Sequence, residues 1–449
     1  MLVSLLSPVL AGVVALGASS GQGVLRLEGR VQRVVALELD DGTVWQVVDP
    51  PSLGLSTGAV EVRLHTGELL RLRRFGGWVS GKVERPGAVP VLFRVNPAGV
   101  CRWRVADRRG ALPCATGPTE RVLTGQGDGP VPPPRQLGAE DGSRIDTLAL
   151  YTPDARASAG SSEAMQADML RWFDETNAVL ADSGVSTSVL VVGMLEVDSN
   201  ASGDASIDRA SLLGTSDGVW DSIHAVRDER GADMVVLFVE QMDGNCGIGG
   251  MITQAGGNAS NAFAVVKNTC AESWHTLTHE FGHIQGCAHD AENAGVAGID
   301  DRAYGWSFEG AGFPCNASRF CTVMAYQGVV DMNDCPGPGD VTSVNTFRIG
   351  LLSTPLVTHQ GTPVGDAVVA DNTAVWGERR VITARYRPRV VGSVCPGDLD
   401  GSGAVDVVDL ITVLGTWGAA AAGSQIDINA DGVVDILDIA VILDRYGGC

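Results

Sequence analysis

The sequence predicts a multidomain protein: an all-β amino-terminal region, an α/β central domain on a twisted mixed sheet with flanking helices, and a small all-α carboxy-terminal module. Three observations predict it. Residues 24–123 alternate apolar and polar in short runs broken by DDG and GG turns, the period of strands. From residue 144, strand patterns alternate with amphipathic helix patterns, as in sheets flanked by helices. Near the end an aspartate-rich loop followed by an apolar helix pattern occurs twice. At 449 residues the chain exceeds one ordinary domain, and its 45% hydrophobic content suffices for several buried cores.

Residues 1–23 begin MLVSLLSPVLAGVVALGASS, an apolar run ending in small residues. This is the pattern of a secretory signal cut after Ala18 or shortly beyond. An uncleaved anchor is the alternative, because Pro8 interrupts the run and no basic residue precedes it. No other segment is long and apolar enough to cross a membrane, so no span is expected in the mature chain. Ten cysteines, an even number, suit an oxidising compartment. The expected location is therefore secreted, extracellular or cell-surface, with the periplasm as a variant. A net charge of −21 argues against nucleic acid or an anionic membrane as partner.

The β region, 24–123, precedes the central domain and reads as a pro-domain or a permanent accessory domain. Within it Cys101 and Cys114 are candidates to pair; an unpaired thiolate occupying an open metal position, a latency switch, is the alternative. Residues 124–143 are rich in glycine and proline without periodicity, a linker suited to activating cleavage at Arg135 or Arg144.

The central domain, 144–388, opens with a strand at 145–151 and a helix from Ala164 to Ala181 closed by Gly184. A strand at 188–197, a helix at 218–229 and the apolar strand at 234–240 follow. The chemistry is concentrated in WHTLTHEFGHIQGCAHD, Trp274 to Asp290, which holds four of the seven histidines. On a helix, His279 and His283 lie one turn apart on one face. Gly286 stops that helix, since glycine takes the left-handed conformation readily, and the turn returns His289 as a third ligand. Three neutral imidazoles and one open position make a catalytic zinc site, where the pKa of water falls to about 7. Glu280 sits beside the metal without binding it, placed to take a proton from water and pass it to a leaving amine. His275, one turn before His279, reads as a helix-face residue near the site.

The full pattern HExxHxxGxxHD is similar to the zinc signature of the metzincin metalloendopeptidases, and Asp290 resembles the adamalysin, or reprolysin-like, branch. The family places a methionine turn beneath the metal, and CTVMAY with Met324 matches it. Tyr326 matches the position where astacin-like and serralysin-like members place a tyrosine near zinc, which makes it a candidate catalytic residue. By the same resemblance, FAVV at 263–266 is the edge strand before the active-site helix, and STPLVTHQGTPVG at 353–365 closes the domain. An extended peptide adds to that edge as a further strand. Protein or peptide substrates are implied. Cys246, Cys270, Cys287, Cys315, Cys321 and Cys335 allow about 15 connectivities, and sequence selects none. Cys287 reads as a disulfide or buried thiol, with a fourth-ligand role as the alternative.

After a short linker at 389–394, the module 395–449 carries GDLDGSGAVDVVDL and DINADGVVDILDI at an offset of 29 residues. Each fits a twelve-residue calcium loop with glycine at position 6. The oxygen ligands are Asp398, Asp400, Ser402, Asp406 and Asp409 in the first, and Asp427, Asn429, Asp431, Asp435 and Asp438 in the second. Duplicated EF-hand-like loop–helix units of this kind resemble a type I dockerin, implying calcium and a cohesin-like or cell-surface partner. Positions 10 and 11, where cellulosomal members carry a polar pair, are Val407 and Val408, then Ile436 and Leu437. Cys395 and Cys449 bracket the module and suit a clasp.

The functional expectation is a secreted zinc metalloendopeptidase with an attachment module. A non-enzymatic assembly or surface protein with a relic peptidase domain is the alternative, and an exopeptidase on the same scaffold a third.

Overall fold

The structure, a computed structural model, describes residues 20–106 apart from 29–31, 52, 54–56 and 86–88. It also describes 141–390 apart from 310–318, 327–328 and 332–342, and, further on, residues 397, 399, 405, 407–419, 426, 428 and 433–444. Two compact units divide the chain at Ala106.

The first unit is one eight-stranded antiparallel sheet. Its strands are β1 (Ser20–Glu28), β2 (Arg33–Leu39), β3 (Val44–Gln46), β4 (Thr57–Arg63), β5 (Leu69–Phe75), β6 (Trp78–Glu84), β7 (Val91–Val95) and β8 (Cys101–Val105). The order is β3-β2-β1-β8-β7-β6-β5-β4, and a Val47–Leu64 bridge joins the two ends, so the sheet closes on itself. Closure leaves no long unpaired edge. Alternate residues turn inward, with Leu37, Leu70, Leu72, Val83, Val91, Phe93 and Trp103 in one apolar core. Ser20 to Gly23 belong to β1, opposite Arg104 to Cys101, so the β unit starts before residue 24. Small residues there carry no apolar period, and only the cross-strand ladder fixes them. Cys101 is a free thiol facing this core, and Cys114, its expected partner, lies outside the described residues. Burial pushes its thiol pKa up to about 12.

The second unit is built on a five-stranded sheet in the order β10-β9-β11-β13-β12. These strands are β9 (Arg144–Tyr151), β10 (Ser188–Glu196), β11 (Met234–Val239), β12 (Gly247–Gly249) and β13 (Phe263–Lys267). All pairs are parallel except β12–β13, which is antiparallel. The outer strand beside the metal helix is therefore β12, and FAVV lies inside the sheet. Phe263 to Val266 are fully buried, as a parallel strand covered on both faces must be. Arg144 begins β9 and pairs with Asp146, so cleavage there would cut into a sheet strand; Arg135 lies outside the described residues.

Helices α1 (Pro153–Ala159), α2 (Ser162–Asp182), α3 (Ala205–Leu213) and α4 (Ile223–Arg230) flank the sheet. The Ser161 hydroxyl caps α2 by accepting from the Ala164 N–H at 3.1 Å, worth about 1 kcal/mol. Two further helices, α5 (Asn268–Trp274) and α6 (Thr276–Ile284), meet at His275, whose φ of 55° breaks the run. Then come β14 (Ala288–Asp290), β15 (Tyr304–Gly305), β16 (Ser307–Glu309), β17 (Arg319–Cys321), β18 (Val329–Asp331) and β19 (Ser343–Arg348). The expected closing segment forms a small hairpin, β20 (Thr358–His359) and β21 (Thr362–Pro363), followed by α7 (Asn372–Thr383).

Two contacts seat the metal helix. The rings of Phe173 on α2 and Phe281 on α6 lie 5.9 Å apart, and the Thr176 and Thr278 hydroxyls share a buried hydrogen bond of 2.9 Å. Burying a side chain such as Phe281 stabilises by about 1.5–3 kcal/mol. A Cys246–Cys270 disulfide ties the approach to β12 to α5. Among the described residues no helix is long and apolar enough to cross a membrane.

In the module, α8 (Val407–Leu414) and α9 (Ile436–Asp444) pack together, with a short ladder of β22 (Gly418–Ala419) and β23 (Val433–Val434) that the all-α expectation lacked. The sequence offset of 29 reappears in the packing. Val405 and Val434 are equivalent and both buried, as are Val413 and Ile442.

Candidate metal centre

His279 and His283 project from α6 and His289 from β14. Their ligand-capable nitrogens all lie within 4.8 Å of one another, and all three residues are buried. Gly286, with φ of 89°, makes the reversal between helix and strand, a conformation that disfavours side chains with a Cβ.

The hydrogen bonds fix the tautomers. His279 Nδ1 lies 2.7 Å from the Val323 carbonyl and His283 Nδ1 2.8 Å from the Cys287 carbonyl. A carbonyl only accepts, so both Nδ1 atoms donate, and both Nε2 atoms carry lone pairs. A His289 ring N–H donates to the backbone carbonyl of Asn293. His283 Nε2 then faces His289 Nε2 at 3.1 Å. His279 Nε2 is buried with no hydrogen-bond partner. Lone pairs crowded this closely call for a cation between them. Tetrahedral ligands about 2.0–2.1 Å from zinc sit about 3.3 Å apart, so the 3.1 Å between His283 Nε2 and His289 Nε2 fits that ion.

Burial holds all three imidazoles neutral. It lowers His279 well below the ordinary histidine range, His283 to about 4 and His289 to about 2, with neighbouring positive charge adding to the shift of His279 and His289. Between pH 6.5 and about 4 the unfolded chain binds a proton at position 283 that the folded chain does not. Metal-free protein should therefore lose stability as pH falls through this window, by about 3 kcal/mol for His283 alone. Melting temperatures of chelated protein across that range check this; a flat profile would contradict it.

Glu280 is fully buried with its carboxylate against β12. A Cβ at Gly247 would lie 2.5 Å from Glu280 Oε1, and one at Gly249 would lie 2.5 Å from the Glu280 carbonyl. The strand can approach this closely only as glycine. Gly247→Ala should displace the carboxylate and cut turnover at least about 10-fold with metal content unchanged, because small misplacements of a reacting group are costly. Parallel rate and metal measurements check it.

Met324 lies beneath the histidines: a Cβ at Gly282, on the helix turn between His279 and His283, would sit 2.3 Å from its sulfur. The Tyr326 hydroxyl is 3.3 Å from His289 Nε2. Asp290 accepts from the Tyr326 N–H at 2.9 Å and from Asn293 Nδ2 at 2.6 Å, tying the third histidine's strand to the methionine turn. His275 stands outside the histidine group, its ring over Gly350. Cys287 is a buried free thiol outside the group, its pKa raised by burial, and Cys321 is likewise free and raised to about 11.

Sequence reasoning missed Gly247, Gly249, Gly282 and Arg348. The CGIGG cluster was a readable signal for the first two. Nothing in the sequence marks Arg348, whose guanidinium donates to the carbonyls of Trp274 and Ala325 at 3.0 and 2.9 Å.

Of the positions expected to form calcium loops, Asp398, Asp400, Ser402, Asp406, Asp427, Asn429 and Asp431 lie outside the described residues. The two position-12 carboxylates are buried and equivalent. Asp409 accepts from the Leu399 N–H at 2.5 Å and Asp438 from the Ile428 N–H at 2.7 Å. Asp435 accepts from the Leu437 N–H.

Residues 141–335 match the model for metallo-peptidase family M12. A peptidyl-Asp metalloendopeptidase of Stenotrophomonas maltophilia (strain R551-3) is 27% identical over 387 residues, covering 82% of this chain and 84% of that protein. A protein of the same name from strain K279a is 26% identical over 373 residues, covering 81% of each. Metalloproteinase-II from Bacteroides fragilis, a solved structure, aligns over 55% of this chain and 77% of its own, at TM-score 0.31 and 13% identity.

Proposed function

We propose, for a chain that is a metalloendopeptidase by its M12 domain and its relatives, that it is exported, holds one zinc ion on His279, His283 and His289, and cuts proteins beside aspartyl residues. The observation that carries the zinc reading is the pair of imidazole lone pairs 3.1 Å apart beside a third with no partner. The aspartyl preference rests on the relatives' names.

Zinc bound there supplies a Lewis acid for the scissile carbonyl and lowers the pKa of water to about 7. Glu280, seated against β12, takes the proton of the attacking water and returns it to the leaving amine. The Tyr326 hydroxyl is a donor for the oxygen that gains charge. β12, the outer strand, pairs with the extended peptide backbone. Asp290 and Met324 hold the third ligand's strand and the floor in register. Residues 124–143 are the activation linker, and the β unit is the pro-domain.

The carboxy-terminal module binds calcium and attaches the enzyme to a cohesin-like or cell-surface partner. Its support is the matched pair of buried carboxylates, Asp409 and Asp438, and the exposure of Val407, Val408, Ile436 and Leu437. Peptide turnover that a chelator abolishes, and that zinc restores where calcium alone does not, is the expected result. Turnover indifferent to chelation would overturn the reading.

A further inference from the structure

Arg348 ends β19, beside Cys321 in the neighbouring strand and close to the methionine turn. Its Nη1 donates to the carbonyl of Trp274, just ahead of the metal helix, and its Nη2 to that of Ala325, between Met324 and Tyr326. These two bonds fix the plane of the guanidinium at the flank of the histidine cluster. Both carbonyl acceptors are neutral, the Cys321 thiol is its further side-chain partner, Nε is buried with no hydrogen bond of its own, and among the described residues no carboxylate pairs with Arg348.

A half-buried cation without a counter-ion, next to a site for a divalent cation, is electrostatically costly. A protein with a net charge of −21 also repels an acidic peptide at long range. Selecting one therefore needs a fixed positive group at the scissile bond. Arginine suits this, because its planar fork can hold two carbonyls and still present N–H groups to a carboxylate.

We propose that Arg348 is the specificity-determining residue, pairing with an acidic side chain that flanks the scissile bond. This rests on the peptidase reading above. The test uses full-length activated enzyme and paired quenched peptides that carry either one aspartate or the isosteric asparagine. Wild type should favour aspartate in kcat/KM by about 10- to 100-fold, the range of a charge-assisted hydrogen bond. Arg348→Gln should bring the ratio close to one, and Arg348→Lys should retain part of it. Each ratio is measured on one preparation, so loss of folded enzyme cancels. If a variant turns over neither peptide, the affinity ratio of aspartyl and asparaginyl hydroxamate peptides gives the same readout. A wild-type enzyme without acidic preference, or Arg348→Gln with the ratio intact, overturns the proposal and leaves Arg348 a carbonyl clamp. A wild-type enzyme that cleaves no peptide at all sinks the peptidase reading instead.

Discussion

Glu280→Gln should lower peptide turnover about 10²- to 10⁴-fold, the contribution of a positioned proton-transfer group, while the protein keeps its fold and its zinc. The exchange keeps the shape of the side chain and removes its capacity to take a proton. Zinc is retained because the three imidazoles make the site without the carboxylate. Glu280 is fully buried against a strand that leaves no spare room, and an amide is cheaper to bury there than a carboxylate. The melting temperature should therefore hold steady or rise. A variant within a few-fold of wild type would remove Glu280 from the chemistry. A variant that had lost its zinc would show that the carboxylate acts in metal binding.

His283→Ala has the other large expected effect: loss of zinc and, with it, loss of all measurable turnover. His283 closes a nearly equilateral triangle of rings, its centroid 4.8 Å from that of His279 and 4.7 Å from that of His289, which lie 5.1 Å apart. Its Nδ1 bond to the Cys287 carbonyl also holds the turn that delivers His289. Removing it takes away a ligand and loosens a second one. Losing even a partner outside the ligand set typically costs 10–100-fold in metal affinity, and a ligand costs more. Zinc per chain should fall from one to near zero at micromolar free zinc, with the circular-dichroism signature of a folded chain retained. Near-wild-type zinc content would contradict the ligand set.

The site was far more legible in the sequence than the surroundings that aim it. His279, Glu280, His283, Gly286 and His289 obey local rules of helix period and turn conformation, so spacing alone assembles them. Met324 and Tyr326 needed a family resemblance, because a methionine turn has no local physical signature. Gly247, Gly249 and Gly282 act through close approaches between segments distant in sequence, and Arg348 through carbonyls at positions 274 and 325. Such contacts exist only once the chain is folded. The family resemblance puts the strand at 263–266 at the sheet edge, whereas in the fold its four buried residues have both faces covered and β12 lies outside it. The outer strand, Gly247–Gly249, is too short and glycine-rich to register as a strand at all. In the first unit, alternation predicted strands, but closure into a ring depends on the Val47–Leu64 bridge between segments whose meeting no local pattern announces. In the module, the 29-residue offset reappears in the core, because duplicated sequence buries equivalent positions.

Everything functional here depends on three histidine nitrogens sharing one ion. Zinc-edge X-ray absorption on the purified enzyme measures that directly. One zinc per chain with three imidazole nitrogens at about 2.0–2.1 Å is the predicted first shell. A shell containing a sulfur from Cys287 or Cys321, or one with fewer than three imidazoles, would contradict the account.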